Sequence, residues 1–303
     1  MKYMDNYILV LAAGLQTTIQ DLGRKGFRSY GVPISGAMDK YSAILANKLL
    51  NNNEGLPVME MAIIGPKILF EDNTCIVITG ANLSPELNGK PIELNFVYKV
   101  NTSDVLSFGK LVFGSRAYLG VKDGFKTENK LNSYSYFKGI TSKHIVEKGD
   151  RLEIAHYNSE FEIRSSKIKV KDYHFNSSEL EVTKGPEFSR LSKKQREILF
   201  SKNFEIDNLN NRMGYQLKSE FLKIEKSEII TSSVIPGTVQ LTPSGKLIIL
   251  MRDCPTTGGY PRILQLTDIA INQLAQKKTG DTFKFDLEGS FSFLSRLVNR
   301  FKD

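Results

Sequence analysis

The chain of 303 residues has two cysteines, three histidines and no tryptophan. Cys75 and Cys254 are too few for the disulfide framework of a small secreted scaffold. They point to a reducing cytoplasm and are expected as small buried hydrophobes. His144, His156 and His174 lie 12 and 18 positions apart, which is no metal-ligand spacing, so no metal site is expected. Apolar runs are short. No stretch approaches the roughly 18 apolar residues of a membrane-spanning helix, and no membrane association is expected. Lys2 and the apolar run from Tyr7 to Leu15 have the outline of a leader, but Asp5 stands where a leader wants positive charge. That run is read as the first strand. There is no GxxxxGK[ST] phosphate loop, no GxGxxG opening a helix and no GxSxG elbow, which excludes P-loop, Rossmann and nucleophile-elbow sites of those types.

What is present is the balance of an ordinary globular protein, 41% hydrophobic and 24% charged. The length suggests one large unit or two lobes at roughly 150 residues each. A net charge of +8 is spread along the chain, densest between Lys184 and Lys202. Stacking aromatics are not interleaved there, so a nucleic-acid track is not expected. The segment SKKQREILF instead reads as a helix with Ser192 and Gln195 in capping-box positions and a solvated basic face. The charge weakly favours an acidic partner or anionic substrate.

Strand signals dominate. Short β-branched or aromatic runs occur at Ile68–Phe70, Thr74–Thr79, Phe96–Val100, Leu111–Phe113, Ala117–Val121, Arg151–Ala155, Glu179–Thr183 and Lys246–Met251. The fold class expected is mainly β with a few helices, as barrels or sandwiches. Asn88-Gly89 predicts a two-residue hairpin turn. One helix is expected from Asp39, burying Tyr41, Ile44, Leu45 and Leu49, and ending at Asn51-Asn52-Asn53. A second is expected from Thr267, burying Ile269, Ala270 and Leu274. A third is expected to close the chain, with Phe291, Leu294, Leu297, Val298 and Phe301 at helical spacing. The polar stretch from Tyr157 to Lys169 marks a lobe boundary, dividing 1–157 from 158–303, and an exchange of strands between the lobes is compatible with the pattern.

Three loops are unusually dense. TTIQDLGRKGFRSYGVPISGAMD, from Thr17 to Asp39, carries four glycines and a proline among Gln20, Asp21, Arg24 and Ser35, and leads into a helix N-terminus able to meet an oxygen ligand. The plainer reading is a Gly-rich hairpin with Asp39 as a cap. NRMGYQL places Arg212, a rigid fork of donors, where it either meets a carboxylate or merely starts a strand on the surface. DCPTTGGYPR offers the Thr256 and Thr257 hydroxyls, a Gly258-Gly259 pair that lets backbone approach a ligand, and Tyr260, or is simply a turn between a strand and a helix.

Together with PGTVQLTPSG, RAYLGVKDGF and LAQKKTGDTFKF, these loops resemble, in order and over about residues 15–287, the allophanate hydrolase subunit 2 or biotin-dependent carboxyltransferase family. The resemblance implies cyclophilin-like β-barrel lobes forming half of a carboxyltransferase domain. It implies an amide-hydrolysing role as one component of an ATP-dependent 5-oxoprolinase, converting 5-oxo-L-proline to L-glutamate with partner subunits A and B, and inactive alone. ATP would belong to the holo-complex. The alternatives are a carboxyltransferase half for urea or another amide, which would use biotin, and a regulatory protein binding a histidine-kinase inhibitor. On this resemblance Arg24 or Arg212 is expected to meet the substrate carboxylate, and Asp39 or Asp21 to orient or deprotonate water. Gln20, Ser35, Gly36, Met38, Thr256, Thr257, Gly258, Gly259 and Tyr260 are expected to line the substrate, with oxyanion donors near Gly36 and Gly258-Gly259. The chain departs from the pattern at Pro255, commonly Gln, at Lys122-Asp123-Gly124, and at Asn132-Ser133-Tyr134.

Overall fold

A computed structural model describes residues 6–155, 173–218 and 229–288. The expected closing helix at Phe291–Phe301 and the expected boundary at Tyr157–Lys169 lie outside these residues. The chain divides into two compact units: Met1–Lys25 with Ser35–Lys171, and Gly26–Ile34 with Asp172–Asp303. The dense N-terminal loop is therefore split, its middle nine residues being built into the second unit.

The first unit contains a six-stranded and a five-stranded sheet. Asn6–Ala12, Lys67–Phe70 and Val105–Phe108 lie in the six-stranded one. Gln16–Gln20, Val58–Ala62, Phe113–Val121, Thr74–Asn82 and Val97–Val100 form the five-stranded one, in that order. Alternation along the strands sends Ile8, Val10, Ile68, Phe70 and Leu106 into one core with Ile19, Met59, Met61, Ile76, Ile78 and Leu119. The run from Tyr7 is thus a strand. Asn88-Gly89 joins Pro85–Leu87 to Lys90–Pro91 with both turn residues at positive φ, 53° and 74°, as a type I′ turn requires. Leu111 and Val112, by contrast, are not strand. Chain pairing resumes at Phe113, and the register against Thr74–Asn82 shifts between Phe113 and Ala117, where Gly114 takes φ 73°.

On the outer face of the five-stranded sheet lies the helix Lys40–Leu49, capped by Asp39 as expected. Its buried face is only partly the expected one, Leu45 being buried as expected. Tyr41 is exposed and Ile44 and Leu49 are half-buried, while Ala43 and Ala46 pack with Leu50, Val77, Val58 and Tyr118. The reason is proximity. A Cβ at Gly120 would stand 3.2 Å from the Ala46 Cβ and 2.9 Å from Leu50 Cδ1, so small residues let helix and sheet backbones approach.

The second unit is a closed barrel of seven strands, in the order Glu179–Lys184, Arg262–Leu266, Thr238–Leu241, Leu247–Leu250, Gly214–Leu217, Phe204–Asn210 and Thr282–Leu287. The last strand closes it by pairing parallel to the first, Leu180 with Phe285 and Val182 with Leu287. On most strands alternate residues are buried, Leu180 and Val182, Phe204 and Ile206, Tyr215 and Leu217, Phe283 and Phe285, while Thr238–Leu241 is buried throughout. Lys193–Ser201 carries the expected capping box, and Asp268–Ala275 starts after the expected Thr267 cap. Ala270 and Leu274 are buried in the latter but Ile269 is exposed. The segment before it is not a plain turn, because Thr257–Gly258 and Arg262–Leu266 are both strands. Cys75 and Cys254 are buried and form no disulfide.

Candidate functional site

In the first unit the loop residues are tied down by their own chain. Asp21 Oδ1 accepts from Gly23 N at 2.7 Å, Ser133 Oγ at 2.8 Å and Ser135 Oγ at 2.6 Å, and Oδ2 accepts from Tyr134 N at 2.7 Å. The unusual Asn132-Ser133-Tyr134 stretch is therefore the partner of Asp21. Arg24, 1% exposed, donates to the carbonyls of Lys130 and Ser135. Gln20 Nε2 donates to Thr18 Oγ1 and the Tyr136 carbonyl. Both Asp39 oxygens bind Ser42, Oδ1 from the backbone N–H and Oδ2 from the hydroxyl.

The segment from Ser35 to Asp39 follows the same rule. Ser35 has φ 55° and Gly36 φ 89°, and a Cβ at 36 would stand 2.8 Å from Gly23 N. Next in the chain, Ala37 N–H donates to the Asp21 carbonyl, Met38 N–H to Glu60 Oε2, and Asp39 N–H to the Tyr118 hydroxyl. The Tyr118 hydroxyl donates in turn to Glu60 Oε2 at 2.9 Å, and Arg116 Nε lies 3.9 Å from Glu60 Oε1. Burial first, then the Glu60 and Asp39 charges, push the Tyr118 phenol well above its ordinary range, so it stays a donor. Register explains this cluster. Thr18 pairs with Glu60, Glu60 with Tyr118, and Tyr118 with Thr79, giving one polar row across four strands beside the helix N-terminus. Glu60 and Tyr118 were not singled out from the sequence. A glutamate inside the strand VMEMA was the available signal.

In the second unit Arg212 is paired with a carboxylate of the chain itself, that of Asp253. The contact is bidentate and buried, Nε to Oδ2 at 2.8 Å and Nη2 to Oδ1 at 3.0 Å. The alternative of a surface arginine is thereby corrected. Pairing of Ser232–Ser233 with Thr257–Gly258 makes a two-stranded ribbon from the Thr-Thr-Gly-Gly motif. Arg28, from the nine-residue excursion, donates from Nη2 to the carbonyls of Val234 and Thr256. Gln240 supports the ribbon from the barrel, donating to the Tyr260 carbonyl. Arg262 is bidentate to Glu187 and also donates to the Ser233 carbonyl; this pairing holds the Glu187 carboxyl below its usual range. Burial pushes the Cys254 thiol up to about 11, which leaves it protonated and unsuited to nucleophilic work.

The structure thus places Gln20, Asp21, Arg24, Ser35, Gly36, Met38 and Asp39 together in one unit, and Arg212 and Thr256–Tyr260 in the other. Of these, Thr257 and Tyr260 are exposed, Thr256, Gly258 and Gly259 are partly so, and a Cβ at Gly259 would meet nothing within 4 Å. Of the expected site residues, only those from Thr256 to Tyr260 reach solvent, the rest being buried. Among the described residues no helix is long and apolar enough to cross a membrane.

Comparison with known proteins identifies the architecture. Residues 30–287 match the family described as carboxyltransferase domain, subdomain A and B. The chain belongs to that family. It is 31% identical over 284 residues to the C component of 5-oxoprolinase from Haemophilus influenzae, covering 91% of this chain and 90% of that protein. It is 30% identical to the urea amidolyase of Lachancea kluyveri over 94% of this chain, but spans only 17% of that protein. The crystal structure of the K. lactis urea amidolyase superposes with a TM-score of 0.83 at 28% identity, over 94% of this chain and 19% of that one.

Proposed function

We propose that this chain is the C component of an ATP-dependent 5-oxoprolinase, opening 5-oxo-L-proline to L-glutamate in the cytoplasm together with the A and B components. One observation carries the reading. The match covers about nine-tenths of both this chain and the 5-oxoprolinase component of H. influenzae, whereas it covers less than a fifth of a urea amidolyase. The cyclophilin-like description of the two lobes belongs to the same reading.

A lactam is a stabilised amide, so its opening calls for donors aimed at the carbonyl oxygen. The ribbon Thr256–Tyr260 has such groups in the open, and it takes the part of the substrate-facing element. Asp21, Arg24 and Asp39 serve as scaffolding, because their polar atoms hold the chain's own loops. Arg212 is already neutralised by Asp253. Two helix N-termini are poorly suited to a nucleotide phosphate. The helix Lys40–Leu49 carries the Asp39 carboxylate at its N-terminus, where a phosphate would need positive potential, and Asp268 stands in the first turn after Thr267. No step through ATP is assigned to this chain.

Co-expression with candidate A and B components tests the reading, following glutamate and ADP formation from 5-oxoproline and ATP. Glutamate formed only when this chain is present is the expected result. A stable complex that forms no glutamate, yet contains biotinylated protein and carboxylates urea, would replace it with the carboxyltransferase alternative.

A further inference from the structure

Arg28 makes two hydrogen bonds that do more than fasten a loop. Its Nη2 donates to the carbonyl oxygens of Val234 and Thr256. Those two residues face each other across the ribbon, since Val234 N–H donates to Thr256 O. With Ser233 opposite Thr257 and Ser232 opposite Gly258, the antiparallel pattern alternates. Val234 and Thr256 occupy a hydrogen-bonded pair, Ser233 and Thr257 the next, non-hydrogen-bonded one. The Thr257 N–H therefore points away from Ser233, on the outer edge of the ribbon, where Thr257 is exposed.

The Thr257 N–H belongs to the same peptide group as the Thr256 carbonyl. A cation on that carbonyl draws electron density along the peptide and makes its N–H a stronger donor. Arg28 is always charged, so this polarisation is permanent.

We infer that Arg28 is a positioning residue that aims and polarises the Thr257 N–H as a donor to a ligand carbonyl or oxyanion. The inference rests on the 5-oxoprolinase reading only for the identity of that ligand, the lactam oxygen. A urea carbonyl presents the same chemistry. Two further contacts fix the donor's surroundings. Gln240 holds the Tyr260 carbonyl, and Ile229 N–H holds that of Gly259, so the chain is anchored just past the strand carrying Thr257. The arginine reaches the ribbon because the excursion Gly26–Ile34 is built into this unit, which gives a physical reason for an otherwise puzzling detour of the chain.

The test uses the full chain with Arg28→Gln and Arg28→Lys. In amide NMR spectra of the chain alone, the Thr257 proton is expected to move upfield in Arg28→Gln and to return toward the wild-type position in Arg28→Lys. A Thr257 resonance unmoved in a folded Arg28→Gln variant overturns the inference, whatever the protein's reaction proves to be. In the complex with the A and B components, kcat for glutamate release is expected to fall about tenfold or more in Arg28→Gln with KM little changed, and Arg28→Lys to recover part of it. A folded Arg28→Gln complex with wild-type kcat also overturns it. Should Arg28→Gln fail to fold, Arg28→Lys decides: unaltered Thr257 shift and kcat together with an intact ribbon agree with a retained cation, whereas full loss of kcat with an unaltered shift refutes the role of charge.

Discussion

Gly258 lies directly over the amide of Gln240, so that a Cβ at position 258 would stand 2.6 Å from Gln240 Nε2. The obstacle is the far end of a side chain, which can turn aside at the loss of its bond to the Tyr260 carbonyl. Gly36 is a different case. There a Cβ would meet the backbone at Gly23 N and Leu22 C, 2.8 and 2.9 Å away, at φ 89°.

The two glycines therefore separate stability from function. Gly258→Ala is expected to cost about 1 kcal/mol, one hydrogen bond, and to lower kcat of the complex by disturbing the ribbon. Gly36→Ala is expected to cost about 3 kcal/mol or more, from left-handed strain added to a backbone clash. Urea denaturation followed by far-UV circular dichroism measures both. Equal costs would show that the Gln240 contact is as rigid as the backbone one.

Much of this was legible in the sequence because it depends on local chemistry. Asp39, Ser192 and Thr267 announce helix starts through their own oxygens, and Asn88-Gly89 announces its turn through the φ it tolerates. The candidate site was legible only as a set of loops. Which loop atoms remain open depends on partners far away in sequence: Ser133–Ser135 for Asp21, Glu60 and Tyr118 for the Met38 and Asp39 amides, Asp253 for Arg212. Spacing carries no information about such pairings. The burial of Ala43 and Ala46 in place of Tyr41 was hidden for a similar reason, since helix periodicity reports apolar side chains and not how closely a glycine lets two backbones come.

Alkaline stability is set in part by buried tyrosines. Burial, followed by the Asp150 and Glu128 charges, pushes the Tyr136 phenol from 10.0 up to about 12. A raised folded pKa means that the unfolded chain loses its proton first. The stabilising contribution is whole below pH 10 and is lost as pH climbs toward 12, a loss of about 2 to 3 kcal/mol for this group. Tyr118 acts in the same direction over a window that also opens near its ordinary value of 10.0. Denaturation midpoints measured from pH 8 upward should fall beyond about pH 10, and Tyr136→Phe should flatten that fall. An unchanged slope in the variant would remove Tyr136 from the account.

The Arg212–Asp253 pair should behave as a unit. Each partner is buried, so removing one leaves the other's charge without its counterpart, at an expected cost of about 3 to 5 kcal/mol for Arg212→Met or Asp253→Leu alone. The double variant should cost much less than the sum. Arg212→Lys keeps the charge but cannot match the two-oxygen contact, and should fall between. A double-mutant cycle that proves additive would mean that the charges are solvated in the native state, and would reopen Arg212 as a group available to substrate.

Asp21 offers the sharpest division between scaffold and catalyst. Its two oxygens take four hydrogen bonds, from Gly23, Ser133, Tyr134 and Ser135, and all four donors belong to the chain. Asp21→Asn preserves the shape but turns one oxygen into an amino group facing donors, which leaves at least one buried hydroxyl or N–H poorly matched. A scaffold role predicts a loss of about 1 to 3 kcal/mol of stability, with residual kcat in the assembled complex scaling with the fraction of folded protein. A water-activating role predicts the opposite pattern, full stability with kcat reduced by a factor of about 100 or more. Measuring the two quantities on one preparation separates the roles. Only the first pattern agrees with a carboxylate whose lone pairs are already spent on Gly23 and the Ser133–Ser135 segment.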